Sequence, residues 1–318
     1  MKKPNLIGKN HNSLREAFGI HLSNLAKKNK KIVVLDADIA GGTGAHHFRS
    51  KFKDRFIQCG IAEQNMVSMS AGISKIGYIP FVTTFAVFLI RCIEQVRLSI
   101  AYSKENVKLI ASHPGLDVGP DGASAQCIED LAIFRAIPNM TVISPSDSNE
   151  MKQAIKEIVK FKGPVYMRTG RSAVPNILEN KNIFKIGKGQ VIMKGKKITL
   201  ISCGIMTHRA LEAAKKIKSI FNISINLINM PTIKPIDEEI IKKFGKKSKH
   251  IITAEDHNIV GGLGSAVSEV ISKNQIDVKQ IFIGVRDCFG ESGEPDELAK
   301  KYKISSNYIF ETIKKLGK

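Results

Sequence analysis

Glu63 is the residue whose surroundings first suggest chemistry. It lies in CGIAEQNMVSMSAGIS, residues 59–74, among Gly60, Ile61, Ala62, Met66, Val67, Met69, Ala71 and Ile73. A strand-like RFIQC leads in, and a helical pattern through Met66, Met69 and Ile73 leads out. Glu63 is therefore expected at a strand-to-helix turn, in a desolvated spot. Desolvation raises a carboxyl pKa, which suits proton exchange. The plain alternative is an acid in the first turn of a helix, where the positive end of the dipole favours it.

Other residues have comparable double readings. Phe85 and Phe88 in TTFAVF are three apart, the spacing of two core phenylalanines on one helix face. His113 opens HPGLDVGPDG at a strand end, with Asp121 later in the same stretch, and both residue types are ordinary in loops. Asp38 closes the DAD that ends a strand, where a turn cap is the simple reading. Arg168 ends PVYMR, Arg171 follows three residues later, and Arg15 lies in the first helical pattern. A guanidinium offers paired donors that match a phosphate. Arg91, Glu94 and Arg97 form an i, i+3 ladder.

These residues must be held by alternating strands and helices, which argues for parallel α/β layers. Apolar β-rich runs occur at KIVVLDAD, YIPFVTTF, NVKLIASH, MTVISPSD and PVYMRTG, with helical patterns at LREAFGIHLSNLAKK, FLIRCIEQVRLSIAYS and SDSNEMKQAIKEIVKF between them. A loop-like stretch, RSAVPNILENKNIFKIGKGQ, separates these from a second series. That series reads KITLISCG (strand), THRALEAAKKIKSIF (helix), SINLINM (strand), DEEIIKKFG (helix), HIITAEDH (strand), GLGSAVSEVISK (helix), QIFIGVRD (strand), and then two helices. The expected fold is α/β with two domains, residues 1–182 and 183–318, each a mostly parallel sheet flanked by helices. The Gly-rich stretches GGTGAHH and GGLGSA do not complete a dinucleotide-binding signature, so each reads as a tight turn.

Composition narrows the function classes. The chain carries 49 basic and 29 acidic residues, a net charge of +20, spread over short lysine clusters. With no tryptophan and 6% aromatic residues, stacking platforms for single strands are scarce, so anionic substrates are a better use of the charge than nucleic acid. No apolar run reaches the roughly 20 residues of a membrane span. The basic start, MKKPNLIGKNHNS, lacks the apolar core of a secretory signal. Cys59, Cys92, Cys127, Cys203 and Cys288 are far apart, with no CxxC, which predicts reduced thiols in a cytoplasmic protein.

Taken together, DADIAGG, the Glu63 stretch, TTFAVFLIRCIEQVRLSIAY, SHPGLDVGPDGAS, IEDLAIFRAIPNMTVISPSD, NMPTIKPID, EDHNIVGGLGSAVSEV and FGESGEPDEL resemble the C-terminal half of transketolase, in order and over almost the whole chain. The resemblance implies the pyrimidine-binding and C-terminal domains of a thiamine-diphosphate enzyme. The family's diphosphate and metal motif begins with GDG, which occurs nowhere here. It further implies that Glu63 exchanges a proton with the cofactor's pyrimidine nitrogen, and that Phe85, with Phe88, packs on the pyrimidine. Asp38 would lie close to the cofactor. His113 and Asp121 would contact substrate, and Arg168 would grip the sugar phosphate, with Arg15 and Arg171 as competitors. Arg91 stands where transketolases commonly have tyrosine and deoxyxylulose-phosphate synthases show arginine. Ala125 replaces a histidine, or in some members a glutamine, that touches the donor's hydroxyls.

The expectation is the C-terminal subunit of a split transketolase. It would transfer a two-carbon ketol unit between sugar phosphates, with a separate chain supplying the diphosphate and Mg²⁺ ligands, and two such pairs would form the working particle. The alternatives are a related thiamine enzyme, either synthase-like or an oxoacid dehydrogenase beta subunit, and a non-catalytic assembly paralogue.

Overall fold

The computed structural model describes residues 11–177 and 184–317. The expected boundary at 182, and most of the basic N-terminal stretch, lie outside the described residues. Fourteen strands are present among those described. In chain order they are β1 (His11–Ser13), β2 (Ile32–Asp36), β3 (Phe56–Gln58), β4 (Ile79–Phe85), β5 (Lys108–Ser112), β6 (Thr141–Ile143), β7 (Val165–Thr169), β8 (Ala173–Pro175), β9 (Gln190–Met193), β10 (Lys197–Ser202), β11 (Asn226–Asn229), β12 (Thr232–Lys234), β13 (Ser248–Asn258) and β14 (Lys279–Val285).

Two large sheets and a small antiparallel pair, β1-β8, result. The first large sheet runs β12-β6-β7-β5-β4-β2-β3 and the second β14-β13-β10-β11-β9. Pairings within the first sheet are parallel except β12 on β6, and within the second they are parallel except β9 on β11. The continuous apolar runs explain this arrangement: β2 and β5 are buried along their whole length, as strands covered on both faces must be. On one face of the first sheet, helix Leu14–Ala26 packs beside helix Ser148–Lys160, burying Phe18, Leu22, Ile155 and Ile158 with Phe81 of β4. On the other face, helix Glu63–Lys75 buries Met66, Val67 and Ala71 against Val33, Leu35 and Val82.

Sequence patterning located the long elements well; the short strands β1, β8 and β9 were not read, the last two falling in or at the end of the stretch taken as loop-like, and two further departures matter. The run read as one helix at FLIRCIEQVRLSIAYS is broken into Ala86–Ile90, Ile93–Gln95 and a wider π-helical Val96–Tyr102. The break spoils the Arg91–Glu94–Arg97 ladder, and no ion pair forms among those three in the described residues. The second departure is β12, which belongs by sequence to the second unit but completes the sheet of the first.

Strand order decides where function can sit. From β2 the chain moves outward to β3, then returns to β4 on the other side of β2. The carboxyl ends of β2 and β4 thus flank a switch point, the place where open α/β sheets leave a crevice. The segment after β2 reaches this crevice by pressing on the first helix. A Cβ at Gly19 would lie 1.9 Å from the Gly44 carbonyl oxygen. Gly19→Ala should therefore push the 40–45 segment off the helix and cost about 1–3 kcal/mol, the range for overpacking. Urea unfolding of the variant, with little change of m-value, checks this.

Candidate active site

The carboxyl edge of the first sheet gathers most of the candidate residues. In sheet order, Glu63 follows β3, Asp38 follows β2, Phe85 ends β4, His113 follows β5 and Arg171 follows β7.

Glu63 is the first residue of its helix, and the preceding Ala62 supplies no side-chain cap. The residue is 7% exposed, and its carboxylate has no hydrogen-bond partner among the described residues. A carboxylate largely withdrawn from water and without a protein partner loses hydration, which a helix-dipole role alone repays only in part. Gln64 Nε2 donates to the Arg91 carbonyl at 3.4 Å, holding the start of the helix against the 86–92 segment. Cys92 lies within reach of the acid. Burial, and then the Glu63 charge, push its thiol up to about 12.

Phe85 is sandwiched. Its ring lies 5.6 Å from Phe88 at 9° and 3.8 Å from the His113 ring at 28°. A Cβ at Gly42 would sit 2.7 Å from Phe85 Cε1, so only glycine lets the loop after β2 lie against this ring. Phe88 keeps about a third of its surface exposed.

His113 is buried and sits in the left-handed region, φ 57°. Its Nδ1 is 2.8 Å from Ser112 Oγ, which itself donates to the Gly42 carbonyl at 3.1 Å. The hydroxyl has one proton, so His113 Nδ1 must donate and Nε2 keeps the free lone pair. Burial, reinforced by the Arg15 and Arg171 charges, pushes the imidazole down to about 4, so it is neutral at physiological pH. Both cations thus flank His113. Arg15 Nη1 also donates to the Gly42 carbonyl at 3.2 Å. Arg171 donates to the Val118 carbonyl and lies 3.8 Å from Asp121, which is exposed.

Arg168 is placed differently from the expectation. It is buried, chelates Asp130 through Nε (2.7 Å to Oδ2) and Nη2, and donates through Nη1 to the Asp256 carbonyl at 3.1 Å. Tyr166 donates to the same Asp130 carboxylate. Burial opposes the Asp130 charge, but Arg168 and its hydrogen bonds outweigh it and hold the carboxyl below its ordinary value. Every nitrogen of Arg168 is therefore engaged inside the protein, and of the three arginines it is the least able to meet a phosphate. Strand position explains the difference: Arg168 is still within β7, whereas Arg171 lies beyond its end.

Asp38 is exposed at φ 62°. Its N–H donates to Gln58 Oε1 at 3.0 Å, which also accepts from Gly60 N–H at 3.0 Å. Gln58 therefore splices the turn after β2 to the turn before Glu63. Asp36, which sequence reading passed over, is fully buried and accepts from Ile39 N–H at 2.9 Å and Thr83 Oγ1 at 3.1 Å. Burial lifts its carboxyl above the ordinary value. Gln58, Ser112 and Gly42 were also missed; a polar residue closing each strand was the available signal. Arg91 is exposed. Ala125 is half-buried, while the adjacent Gln126 turns inward and donates to the Glu291 carbonyl at 2.9 Å. All five cysteines are free, and no helix among the described residues is long and apolar enough to cross a membrane.

Residues 11–176 match the family model described as "Transketolase, pyrimidine binding domain", and residues 187–309 match "Transketolase, C-terminal domain". The chain belongs to the transketolase family. A Methanocaldococcus jannaschii protein named provisionally as a transketolase C-terminal section is 44% identical over 306 residues, covering 95% of this chain and 96% of that protein. The 6-deoxy-6-sulfo-D-fructose transketolase subunit SqwH of Clostridium sp. is 36% identical over 97% of this chain and 96% of that protein. Mouse transketolase is 36% identical over 95% of this chain, but only 48% of its own length is matched. Among solved structures, "Split gene transketolase, inactive beta4 tetramer" superposes with a TM-score of 0.88 at 42% identity, covering 95% of this chain and 97% of that one. The chain therefore corresponds to the C-terminal part of a split transketolase, and the family is thiamine diphosphate dependent.

The neutral state of His113 has a stability consequence. A histidine whose folded pKa lies below its unfolded value contributes stability that is fully present above the unfolded pKa of about 6.5 and is lost as pH falls towards the folded value. His113→Gln should lose less stability than wild type between pH 7 and pH 5, by on the order of 1 kcal/mol. Urea unfolding at the two pH values measures the difference.

Proposed function

We propose that this chain is the pyrimidine-binding half of a two-chain, cytoplasmic transketolase, a transferase that moves a two-carbon ketol unit between a ketose phosphate and an aldose phosphate. The observation that carries the reading is Glu63: a buried carboxylate without a protein partner, at the carboxyl edge of the parallel sheet that also carries Phe85 and Phe88. The fit to thiamine diphosphate is good. Phe88, partly exposed, offers a flat surface to the pyrimidine, Phe85 stacks behind it, and Glu63 needs a base to complete it. When bound, the cofactor supplies the nucleophilic carbon that takes up the ketol unit.

The chain's own residues would do the rest. Glu63 holds or moves a proton at the pyrimidine ring nitrogen. His113 presents a neutral lone pair to a substrate hydroxyl, and Asp121 and Asp38 add acceptors near substrate and cofactor. Arg15 and Arg171 flank His113 and hold the anionic end of the sugar. Arg168 serves from behind, fixing the strand from which Arg171 extends. Arg91, exposed next to Glu63's helix, faces the cofactor or the partner. Ala125 offers no hydrogen bond to a donor hydroxyl, so donor choice differs from that of ordinary pentose-phosphate enzymes. The name of the Clostridium relative makes a sulfonated ketose the first alternative donor to assay, since two arginines can receive a sulfonate as well as a phosphate.

A second chain would bring the diphosphate and Mg²⁺ ligands. The surface available for it is unusual in a protein of +20 charge. Along helix Glu63–Lys75 and its two ends, Ile61, Gln64, Asn65, Ser68, Met69, Gly72 and Ile76 are exposed and uncharged, and the one exposed charge, Lys75 at the far end, is paired with Glu105. Leu98 and Tyr102 are exposed on the neighbouring π-helical segment. Depletion of charge is the compositional mark of an interface centre. This face suits pairing with the diphosphate-binding chain and association of two such pairs.

Glu63→Gln keeps size and packing but cannot exchange a proton. It should assemble normally with the second chain, lose kcat by at least about 10²-fold, and slow hydrogen–deuterium exchange at the cofactor's thiazolium carbon by a similar factor. Unchanged exchange would leave Glu63 as a helix-dipole acid only. The arginines separate in the same reconstituted system. Arg171→Ala should raise KM for phosphorylated sugars by about one to two decades, the value of a charge-assisted contact of 1.5–3 kcal/mol, with little change for unphosphorylated ones. An equal effect on both substrate classes would remove Arg171 from the phosphate.

A further inference from the structure

The loop that carries Gly42 continues into a short helix, His46–Arg49, whose two leading histidines have no part in the site above. Both meet Glu16, from the first turn of helix Leu14–Ala26. His47 Nε2 lies 2.6 Å from Glu16 Oε2, and His46 Nε2 lies 3.9 Å from the same oxygen. The imidazole centroids are 4.0 Å apart. One ligand atom from each of the three residues falls within 4.8 Å of the other two. All three side chains are partly exposed, between 28% and 38%, so an ion can reach them from solvent.

A simple His–Glu pair explains only part of this. His47 alone satisfies Glu16, yet His46 is stacked on His47 with its Nε2 turned to the same oxygen. His46 Nδ1 is 3.4 Å from the Ala40 carbonyl. A carbonyl only accepts, so Nδ1 carries the proton and Nε2 keeps its lone pair on the Glu16 side. An outer hydrogen bond to a backbone carbonyl is the usual way in which a protein orients a metal-binding imidazole. Protonating both rings would place two cations about 4 Å apart, whereas a shared ion uses both lone pairs.

We propose that Glu16, His46 and His47 form a binding site for a divalent transition-metal ion, with zinc the best fit and water in the open positions. Two imidazole nitrogens and a carboxylate oxygen suit zinc, while Mg²⁺ prefers a shell of oxygens. Bond lengths of about 2.0–2.2 Å to a tetrahedral ion require ligand atoms roughly 3.3 Å apart. The 2.6 Å and 3.9 Å separations bracket that value, so small side-chain rotations suffice. The ion would clip the helix that carries Arg15 to the segment that carries Gly42, whose carbonyl Arg15 already holds.

Zinc binding to the full-length chain, measured by competition with a chromophoric chelator, tests this. One equivalent should bind, and His46→Ala and His47→Ala should each weaken binding by more than about tenfold, since even outer-shell partners of a metal cost 10–100-fold. Affinity should fall as pH drops and the imidazoles protonate. Substituted Co²⁺ should give ligand-field bands without a thiolate charge-transfer band, and Cys288→Ser, at an exposed thiol, should bind zinc as wild type does. If His47→Ala fails to fold, His46→Ala, which gives up no contact shorter than 3.4 Å to these partners, carries the test. Zinc binding that survives loss of His46, that follows the cysteines, or that is weaker than millimolar overturns the proposal.

Discussion

The bidentate contact between Arg168 and Asp130 is made entirely out of water, and the two units take their register from it. Desolvating each ion costs several kcal/mol, and only good geometry and satisfied neighbours recover that cost. Both conditions are met. Tyr166 donates to Asp130, and the third guanidinium nitrogen reaches the Asp256 carbonyl on β13 of the other unit. Asp256 in turn accepts from the Leu116 and Asp117 N–H groups with its carboxylate, at 2.9 and 3.1 Å. One guanidinium thus fixes β7, the start of helix Asp130–Ala136, and the loop between His113 and Asp121 relative to β13. A shift of β13 would carry that loop with it. The contact acts as a registration device, since its net contribution to stability is small beside what breaking it would cost.

Glu150 repeats the logic on the other side of the junction. It caps Ser146 through N–H and Oγ, and it accepts from Asn229 of the second unit at 2.8 Å. Burial pushes its carboxyl up to about 7. One cation and one acid of the first unit, Arg168 and Glu150, therefore meet polar groups of the second, and the interface is specified by hydrogen-bond geometry as well as by apolar contact.

The sequence revealed the strands and helices because their apolar periodicities are strong, and it revealed Glu63 because a carboxylate amid Ile61, Ala62, Met66 and Val67 breaks a local pattern. The engagement of Arg168 with Asp130 was not legible, for a physical reason. Its partner Asp130 lies 38 residues away, and nothing local distinguishes an arginine that ends a strand inside the protein from one that ends it at the surface. Gln58, Ser112 and Asp36 carried only a weak local signal, a polar residue at a strand end, because their partners lie on other turns and strands of the sheet. The strand Thr232–Lys234 escaped because three residues next to prolines carry no period.

That strand also bears on how separable the two units are. Family models divide the chain cleanly, yet the edge of the first sheet beside β6 is closed by residues that come after β11 of the second. Removing the second unit would leave a row of unpaired backbone groups on β6, a template for pairing with any other chain. The pyrimidine-binding unit is therefore no free-standing cassette. In any gene fusion or fission of this architecture, the two units would have to be inherited together.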